Sequence, residues 1–167
     1  NVLGSYEFSG RARVEIMSQG SSCSTCADAV EFSVDVDYDD TVKIIDNGDM
    51  ATSSSGIWKV SGGADPYGAQ SLYSMESGAE YTYSSNLYGS YGVALWWTEH
   101  SSRCSDVPVE IYDGDVLLET VTVDQRQGGG QWNTLGRFDF SGPVRVVVEV
   151  QDSGCSTCAD AVMYSTD

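Results

Sequence analysis

The sequence has few basic residues, a single histidine and no long apolar run. Eight Lys and Arg residues stand against 25 Asp and Glu residues, which gives a formal charge of −17 at pH 7 over 167 residues. This charge repels nucleic-acid phosphates and anionic membrane surfaces, so we expect no nucleic-acid partner. No apolar run approaches the roughly 20 residues that cross a bilayer as a helix, so we also expect no membrane insertion.

The sequence also lacks a catalytic motif. His100 is the single histidine, and a Ser–His–Asp arrangement drawn around it rests only on nearby serines, which are frequent throughout the chain. No motif supplies an activated nucleophile or a paired acid and base. We therefore predict that the chain is not an enzyme and requires no cofactor.

The residues that are abundant indicate an all-β fold. Glycine (18 residues) and tyrosine (10 residues) accompany many Ser, Thr and Val residues, a composition typical of short strands joined by tight turns. Glycine clusters predict turns, among them those at 127–131 and 140–143. This regular spacing favours an antiparallel β-sandwich of jelly-roll type. The predicted strands are 42–46, 56–60, 69–75, 79–84, 91–98, 107–113, 115–124, 131–140, 144–150 and 158–165.

The chain contains an internal repeat. Residues 1–33 align without a gap on residues 133–165, and nineteen of the 33 positions are identical. In both copies, apolar residues alternate with other residues: Ala12, Val14 and Ile16 in the first copy match Val144, Val146 and Val148 in the second. Such alternation predicts a half-buried strand, and the repeat period predicts a modular protein.

Three regions follow from the repeat. Residues 1–33 are interpreted as the C-terminal strands of a preceding copy, 34–41 as an acidic junction and 42–167 as one complete module. Strands without the rest of their sheet need a partner. We therefore expect residues 1–33 to pair either with the module of their own chain or, by strand donation, with a neighbouring copy.

The junction contains alternating carboxylates in "DVDYDD" (35–40). Asp35, Asp37 and Asp39 are candidate calcium ligands, but the mid-loop glycine and the twelfth-position glutamate of a calcium loop are missing. A solvated linker is the alternative interpretation.

Four stretches indicate a family. They are "IIDNGD" (44–49), "WWTEHSSR" (96–103), "VTVDQRQGGGQWNTLGRFDF" (121–140) and "CADAV" (158–162). Together they make the module resemble the golvesin and xanthan-lyase carbohydrate-binding-like domain over about residues 42–165. The resemblance implies a β-sandwich in an extracellular or cell-surface protein of several domains, a polysaccharide or surface glycan as ligand, and no catalysis.

A sugar-binding sandwich needs exposed aromatic rings, because pyranose faces stack on flat rings. Trp96 and Trp97 are adjacent in a predicted strand and therefore point to opposite faces. We select Trp97 as the candidate platform, with Tyr67 and Tyr88 near turns as further candidates. Trp58 and Trp132 are expected to pack between the sheets.

Polar residues supply a second candidate group. His100 and Arg103 are candidate glycan contacts. Alternatively, His100, Arg103 and Asp160 form a structural polar cluster that holds a loop against the sheet, since buried charges are usually paired.

Five cysteines are candidates for disulfide bonds in an oxidising compartment. In the module, "CSTC" either closes on itself or sends one member to Cys104, and one thiol then remains to bond a neighbouring module or chain. Zinc is disfavoured, because one module supplies only three cysteines and one histidine. The five residues are Cys23, Cys26, Cys104, Cys155 and Cys158.

Two functions follow. The first is a non-catalytic extracellular carbohydrate-binding module. The second is a structural subunit of an extracellular fibre, in which neighbouring copies assemble head to tail through residues 1–33, with or without disulfides between subunits.

Overall fold

The structure is a computed structural model that describes residues 13–17, 25–27, 30, 42–151 and 154–167. The described residues contain ten strands and no helix, which confirms the all-β prediction. The strands are β1 (Val42–Asp46), β2 (Thr52–Ser55), β3 (Lys59–Val60), β4 (Leu72–Ser74), β5 (Glu80–Trp96), β6 (Val107–Asp113), β7 (Val116–Val123), β8 (Asn133–Glu149), β9 (Thr157–Ala159) and β10 (Ala161–Ser165).

Two sheets contain these strands. The larger sheet has the order β1–β10–β5–β8–β6–β7, with β2 paired to the start of β5, and the smaller has the order β3–β4–β9. All strands pair antiparallel. One hydrophobic core includes residues from both sheets, as the predicted β-sandwich requires.

Two pairs of predicted strands are continuous in the structure. β5 joins the two strands predicted between 79 and 98, and β8 joins the two predicted between 131 and 150, so the turn predicted at 140–143 is wrong. Pro143 lies opposite Asn86 of β5, while its carbonyl accepts a hydrogen bond from Gly114 on the opposite side. Its nitrogen therefore faces away from β5, and its missing N–H removes no bond between β5 and β8.

The core follows the predicted alternation. Val144, Val146 and Val148 of β8 are at most 1% exposed. Burying a side chain of this size contributes about 1.5–3 kcal/mol to folding, and β6, β5 and β10 add similar residues. These additional core residues include Val107, Val109, Ile111, Tyr83, Val93, Leu95, Val162 and Tyr164.

Residues 1–39 form a unit of their own. The strand predicted through residues 12–16 is not formed at residues 13–17, which lie outside any strand. Val14, Ile16 and Met17 are 41%, 53% and 73% exposed, since alternation produces a strand only where neighbouring strands satisfy the backbone. Residues 25–27 and 30 are also exposed and outside any strand. The other residues of the predicted tail and the acidic junction lie outside the described residues.

Candidate functional site

Three half-buried aromatic rings meet where β5 ends and β8 begins. We call Tyr67, Trp96 and Trp132 the aromatic cluster. Their ring centroids lie 5.7 Å apart for Tyr67 and Trp96, 5.2 Å for Tyr67 and Trp132 and 5.3 Å for Trp96 and Trp132. The indole Nε1 of Trp96 donates to the carbonyl of Asp65 at 3.0 Å, which fixes that ring. The cluster offers partly exposed apolar faces beside polar backbone groups.

A glycine-rich loop supports the aromatic cluster. Gly130 donates its N–H to the carbonyl of Trp97 at 2.9 Å, and Gly129 donates to Glu99 Oε2 at 3.1 Å. A Cβ on Gly129 would lie 2.4 Å from the backbone nitrogen of Glu99, and Gly130 has a φ of +67°. The close approach and the left-handed backbone explain why glycines occupy the predicted turn at 127–131.

The choice of Trp97 as the sugar platform is wrong. Trp97 is 4% exposed, and its Nε1 donates to the carbonyl of Gln127 at 3.1 Å. It continues the side of β5 that buries Val93 and Leu95, while Trp96 lies on the other side and remains half exposed. The sequence alone could have identified Trp97 as the buried tryptophan. Alternate residues of a strand share a side, so the large apolar residues at 93 and 95 place position 97 in the core.

The other aromatic predictions also change. Trp132, which was expected between the sheets, belongs to the aromatic cluster, whereas Trp58 packs its ring against Tyr81 at 5.2 Å. Tyr67 is confirmed near the surface, in the loop between β3 and β4. Tyr88 is 44% exposed, but it lies in the middle of β5 and contacts no ring of the cluster among the described residues.

Arg103 is buried and holds a loop to the sheets. It is 5% exposed, and its guanidinium donates from Nε to the Thr98 carbonyl (3.3 Å), from Nη1 to Ser156 Oγ (3.1 Å) and from Nη2 to Ser61 Oγ (2.7 Å) and Thr98 Oγ1 (3.1 Å). The guanidinium carbon also lies 5.7 Å from the centroid of the Tyr73 ring. Every acceptor is neutral.

The predicted cluster of His100, Arg103 and Asp160 is not formed. No ion pair joins these three residues, all of which the structure describes. His100 is exposed, and its Nδ1 lies 2.8 Å from Ser102 Oγ. Asp160 instead accepts hydrogen bonds from the Tyr67 backbone and the Asn47 side chain, which are both neutral donors.

Asp160 is a buried carboxyl with an altered acidity. It is fully buried, and loss of solvation raises its pKa to about 7, with the nearby Asp46 carboxylate adding to the increase. Asn47 Nδ2 lies 3.3 Å from both Asp46 Oδ1 and Asp160 Oδ1. Burial also raises the pKa of Asp46. Burial and the repulsion between the two carboxylates therefore favour protonation of one of them, while the hydrogen bond from Asn47 acts in the opposite direction.

The cysteines show one of the two predicted pairings. Cys104 and Cys155 form a disulfide, so "CSTC" does not close on itself. Cys158 is free but fully buried, which is a correction of its predicted roles in a disulfide or in a link to another chain, because no second chain can reach it. Cys26 is free and exposed. Cys23 lies outside the described residues.

Neither a metal cluster nor a membrane helix is found in the described part of the chain. No three His, Cys, Asp or Glu side chains there are grouped so as to hold a metal ion. The candidate calcium ligands Asp35, Asp37 and Asp39 lie outside it. The same residues include no helix with the length and apolar character that a bilayer crossing requires.

Related proteins share this module. A xanthan lyase from Bacillus sp. (strain GL1) is 38% identical over 104 residues, which is 58% of this chain and 11% of the lyase. The structure of a Paenibacillus xanthan lyase matches with a TM-score of 0.70 and 28% identity over 77% of this chain and 13% of that chain. The matched part of this chain thus spans about a tenth of the length of these relatives.

A smaller solved structure shows the same fold. The CBM36-1 domain of a multidomain xylanase, from the hindgut metagenome of Trinervitermes trinervoides, matches with a TM-score of 0.56 and 10% identity over 75% of this chain and 98% of that domain. At this identity the likeness shows the fold alone. The Golvesin C-terminal domain model matches residues 43–166, which is most of the chain. This match confirms the resemblance found in the sequence: the chain belongs to the Golvesin C-terminal domain family.

Proposed function

We propose that residues 42–167 are a non-catalytic carbohydrate-binding module of a larger extracellular protein. The aromatic cluster is the observation on which this proposal depends. Support comes from the family, from the lyase relatives and from a fold shared with a domain that is named as a carbohydrate-binding module. We do not assign the lyase activity of the relatives to this chain, because the chain matches only about a tenth of their length.

The geometry of the aromatic cluster favours one kind of carbohydrate. The ring planes of Trp96 and Trp132 meet at 74°, those of Tyr67 and Trp96 at 70° and those of Tyr67 and Trp132 at 51°. Rings at these angles do not share a plane, so they do not form one flat platform. A single glycan chain or chain end fits such a surface better than the flat face of a crystalline polysaccharide.

The disulfide supports the proposed extracellular location. Cystines form and persist in oxidising compartments and are rare in the cytosol of most cells. The Cys104–Cys155 bond closes a segment with a sequence separation of 51. A chain that depends on this bond for stability is suited to a secreted or surface-bound protein.

Binding to soluble polysaccharides tests the proposal. Affinity gel electrophoresis and titration calorimetry would use xanthan, xylan and mannan. We expect Trp96→Ala and Trp132→Ala to weaken binding at least about tenfold, since losing a stacked aromatic costs on the order of 1–3 kcal/mol. Tyr88→Ala is the matched control, because it removes an exposed aromatic ring outside the cluster. Equal losses in all three variants, or no binding by the wild type, would overturn the proposal.

The fibre is a second candidate function. It is favoured by the exposed Val14, Ile16 and Met17, which match β8 core positions or their neighbours in sequence. Apolar side chains of this kind are suited to pairing with a second copy. Sedimentation of the full chain and of a truncation without residues 1–33 distinguishes the two functions: concentration-dependent assembly that is lost on truncation supports the fibre, and a monomeric full chain excludes it.

A further inference from the structure

A pocket separate from the aromatic cluster surrounds Arg103. It is an open cleft with a volume of about 520 Å³, within the roughly 300–1,000 Å³ that small-molecule sites occupy. We call it the arginine pocket and define it by the lining residues Ser61, Gly62, Tyr73, His100, Arg103 and Ser156. It combines hydroxyl groups and an aromatic ring with a buried cation.

The described lining of the pocket differs in charge from the chain as a whole. Among the residues that the structure describes, the lining contains an arginine and the single histidine but no Asp or Glu, in a chain with a formal charge of −17. At physiological salt the Debye length is about 8 Å. A ligand within the pocket therefore responds mainly to these local groups, while most of the distant carboxylates are screened.

The buried guanidinium retains one donor for a ligand. A guanidinium has five N–H groups, and four of them donate to neutral oxygens of Ser61, Thr98 and Ser156. The remaining N–H, on Nη1, has no acceptor among the described residues. Buried cations are usually paired with an anion, and Arg103 forms no ion pair in that part of the chain.

The surrounding backbone holds Arg103 in place. Its neighbour Cys104 is bonded to Cys155. The Cys104 N–H donates to the Ser156 carbonyl at 3.0 Å, and the Ser156 N–H donates to the Ser102 carbonyl at 2.9 Å. A donor fixed in advance lowers the entropic cost of binding, so the disulfide acts as a support for the arginine pocket.

We infer that the arginine pocket is a subsite for the carboxylate of an acidic sugar. This inference rests on the proposed carbohydrate-binding function and narrows its ligand to glycans that contain uronic acids. The carboxylate accepts from the free Nη1 N–H, because charge-assisted hydrogen bonds to guanidinium are short and strong. The Ser61 hydroxyl accepts from Arg103 and from the Gly63 N–H, so its own O–H can donate to the sugar, whereas the Ser156 O–H donates to the Ser102 carbonyl.

Matched glycans test the charge preference. Polygalacturonate, alginate and glucuronan would each be compared with the carboxyl-reduced form, which keeps the backbone but has no charge. We expect at least one polyuronate to bind the full chain about tenfold or more tightly than its reduced form. Galacturonate is expected to compete, and acetate at the same concentration is not. Equal competition by acetate would show a site for any anion and overturn the assignment to a sugar acid.

Substitutions at Gly62 test whether the preference for acidic glycans arises in the arginine pocket. A Cβ at Gly62 meets no atom within 4 Å, so Gly62→Asp adds a carboxylate at the pocket without a clash. We expect it to weaken polyuronate binding at least about fivefold by charge repulsion. Gly62→Asn has nearly the same size without the charge, and Thr122→Asp adds the same charge on the exposed edge of β7; both are expected to retain binding.

The outcomes separate this inference from the proposed function. Binding of neutral and acidic forms with equal affinity, with loss in Trp96→Ala, would overturn the arginine subsite and leave the carbohydrate-binding function standing. If Gly62→Asp and Thr122→Asp weaken polyuronate binding equally, the charge repulsion does not arise in the arginine pocket, and the assignment of the pocket as a carboxylate subsite is overturned. No binding to any polysaccharide would overturn both.

Discussion

The two copies of the repeated sequence have different environments in the same chain. Val146 of β8 is fully buried, whereas its counterpart Val14 is 41% exposed. Val148 is also buried, and its counterpart Ile16 is 53% exposed. In the second copy, β8 lies between β5 and β6. The difference shows that the alternation of apolar residues allows a strand, and that neighbouring strands are needed to form it.

The charged residues show the same contrast. Arg145 lies over the ring of Tyr112, with its guanidinium carbon 4.6 Å from the ring centroid. Its counterpart Arg13 pairs with Glu15, two residues away, and both side chains are largely exposed. In one copy the partner comes from another strand, and in the other it comes from the same short segment. An exposed pair of this kind contributes little to stability.

The largest expected effect on the free energy of unfolding comes from substituting Val146, and the same substitution at its counterpart Val14 serves as the comparison. Val146→Asp places a charge in the core and is expected to lower the free energy of unfolding by about 4 kcal/mol or more. Val14→Asp changes an exposed side chain and is expected to alter it by less than about 0.5 kcal/mol. Urea unfolding followed by tryptophan fluorescence measures both. Similar losses in the two variants would contradict the contrast between the copies.

The next effect concerns the disulfide that joins Cys155 of the second copy to Cys104, which lies outside it. Replacing Cys104 and Cys155 by alanine removes a bond across a sequence separation of 51. The expected loss is about 4 kcal/mol in the chain-entropy model, measured by urea unfolding of the double variant beside the wild type. Cys26→Ala serves as the control, because that thiol is free and exposed. An unchanged unfolding midpoint in the double variant would show that the bond is not a main source of stability.

The aspartate of the "CADAV" motif gives a pH-dependent effect. The pKa of Asp160 is about 7 in the folded state, above its usual 3.8. The folded state therefore holds the proton more tightly, and this contribution to stability is complete below about pH 4 and is lost as the pH rises through 7. The difference between the two pKa values corresponds to a loss of at most about 4 kcal/mol.

Thermal unfolding between pH 4.5 and 8 checks this effect. We expect Asp160→Asn to abolish the loss of stability at rising pH. The variant should therefore become more stable relative to the wild type as the pH increases. Asp115→Asn is the control on an exposed carboxylate and is expected to keep the wild-type slope. Parallel profiles for the wild type and Asp160→Asn would contradict the assignment. The equivalent Asp28 lies outside the described residues.

The smallest expected effect on stability concerns Cys158, whose counterpart in the first copy is Cys26. Cys158→Ser introduces a more polar group into a fully buried position beside Thr98, and we expect a loss of about 1–2 kcal/mol. Cys26→Ser is expected to change stability by less than about 0.5 kcal/mol. In the native chain, a thiol reagent should modify Cys26 quickly and Cys158 only on unfolding. Rapid modification of Cys158, identified by mass spectrometry, would contradict its burial.

Much of the fold could be predicted from local patterns. β1 and β6 have the predicted bounds, and the apolar alternation at 144–148 identified the core side of β8. The long strands β5 and β8 could not be predicted, because glycines and Pro143 favour turns in isolation. Their continuity depends on pairing with each other, a contact between residues far apart in the chain.

The candidate site was predicted only in part. Tyr67 lies half-buried in the aromatic cluster and Arg103 lines the arginine pocket, but Trp97 was chosen although Trp96 is the half-exposed ring. Adjacent residues of a strand point to opposite faces, and the choice between them depended on which face the rest of the protein covers. Arg103 was expected to pair with Asp160, but the hydrogen bonds that the structure gives for each of them go to neutral groups.

The sequence by itself determined the class of fold, the family and the repeat, because strand periodicity, turn residues and motif spacing are local properties of the chain. Only the tertiary structure decided which of two similar segments becomes a core strand, which tryptophan faces solvent and which cysteine joins Cys104. Those outcomes depend on burial and on hydrogen-bond partners that distant residues supply, so the same local sequence is compatible with more than one of them.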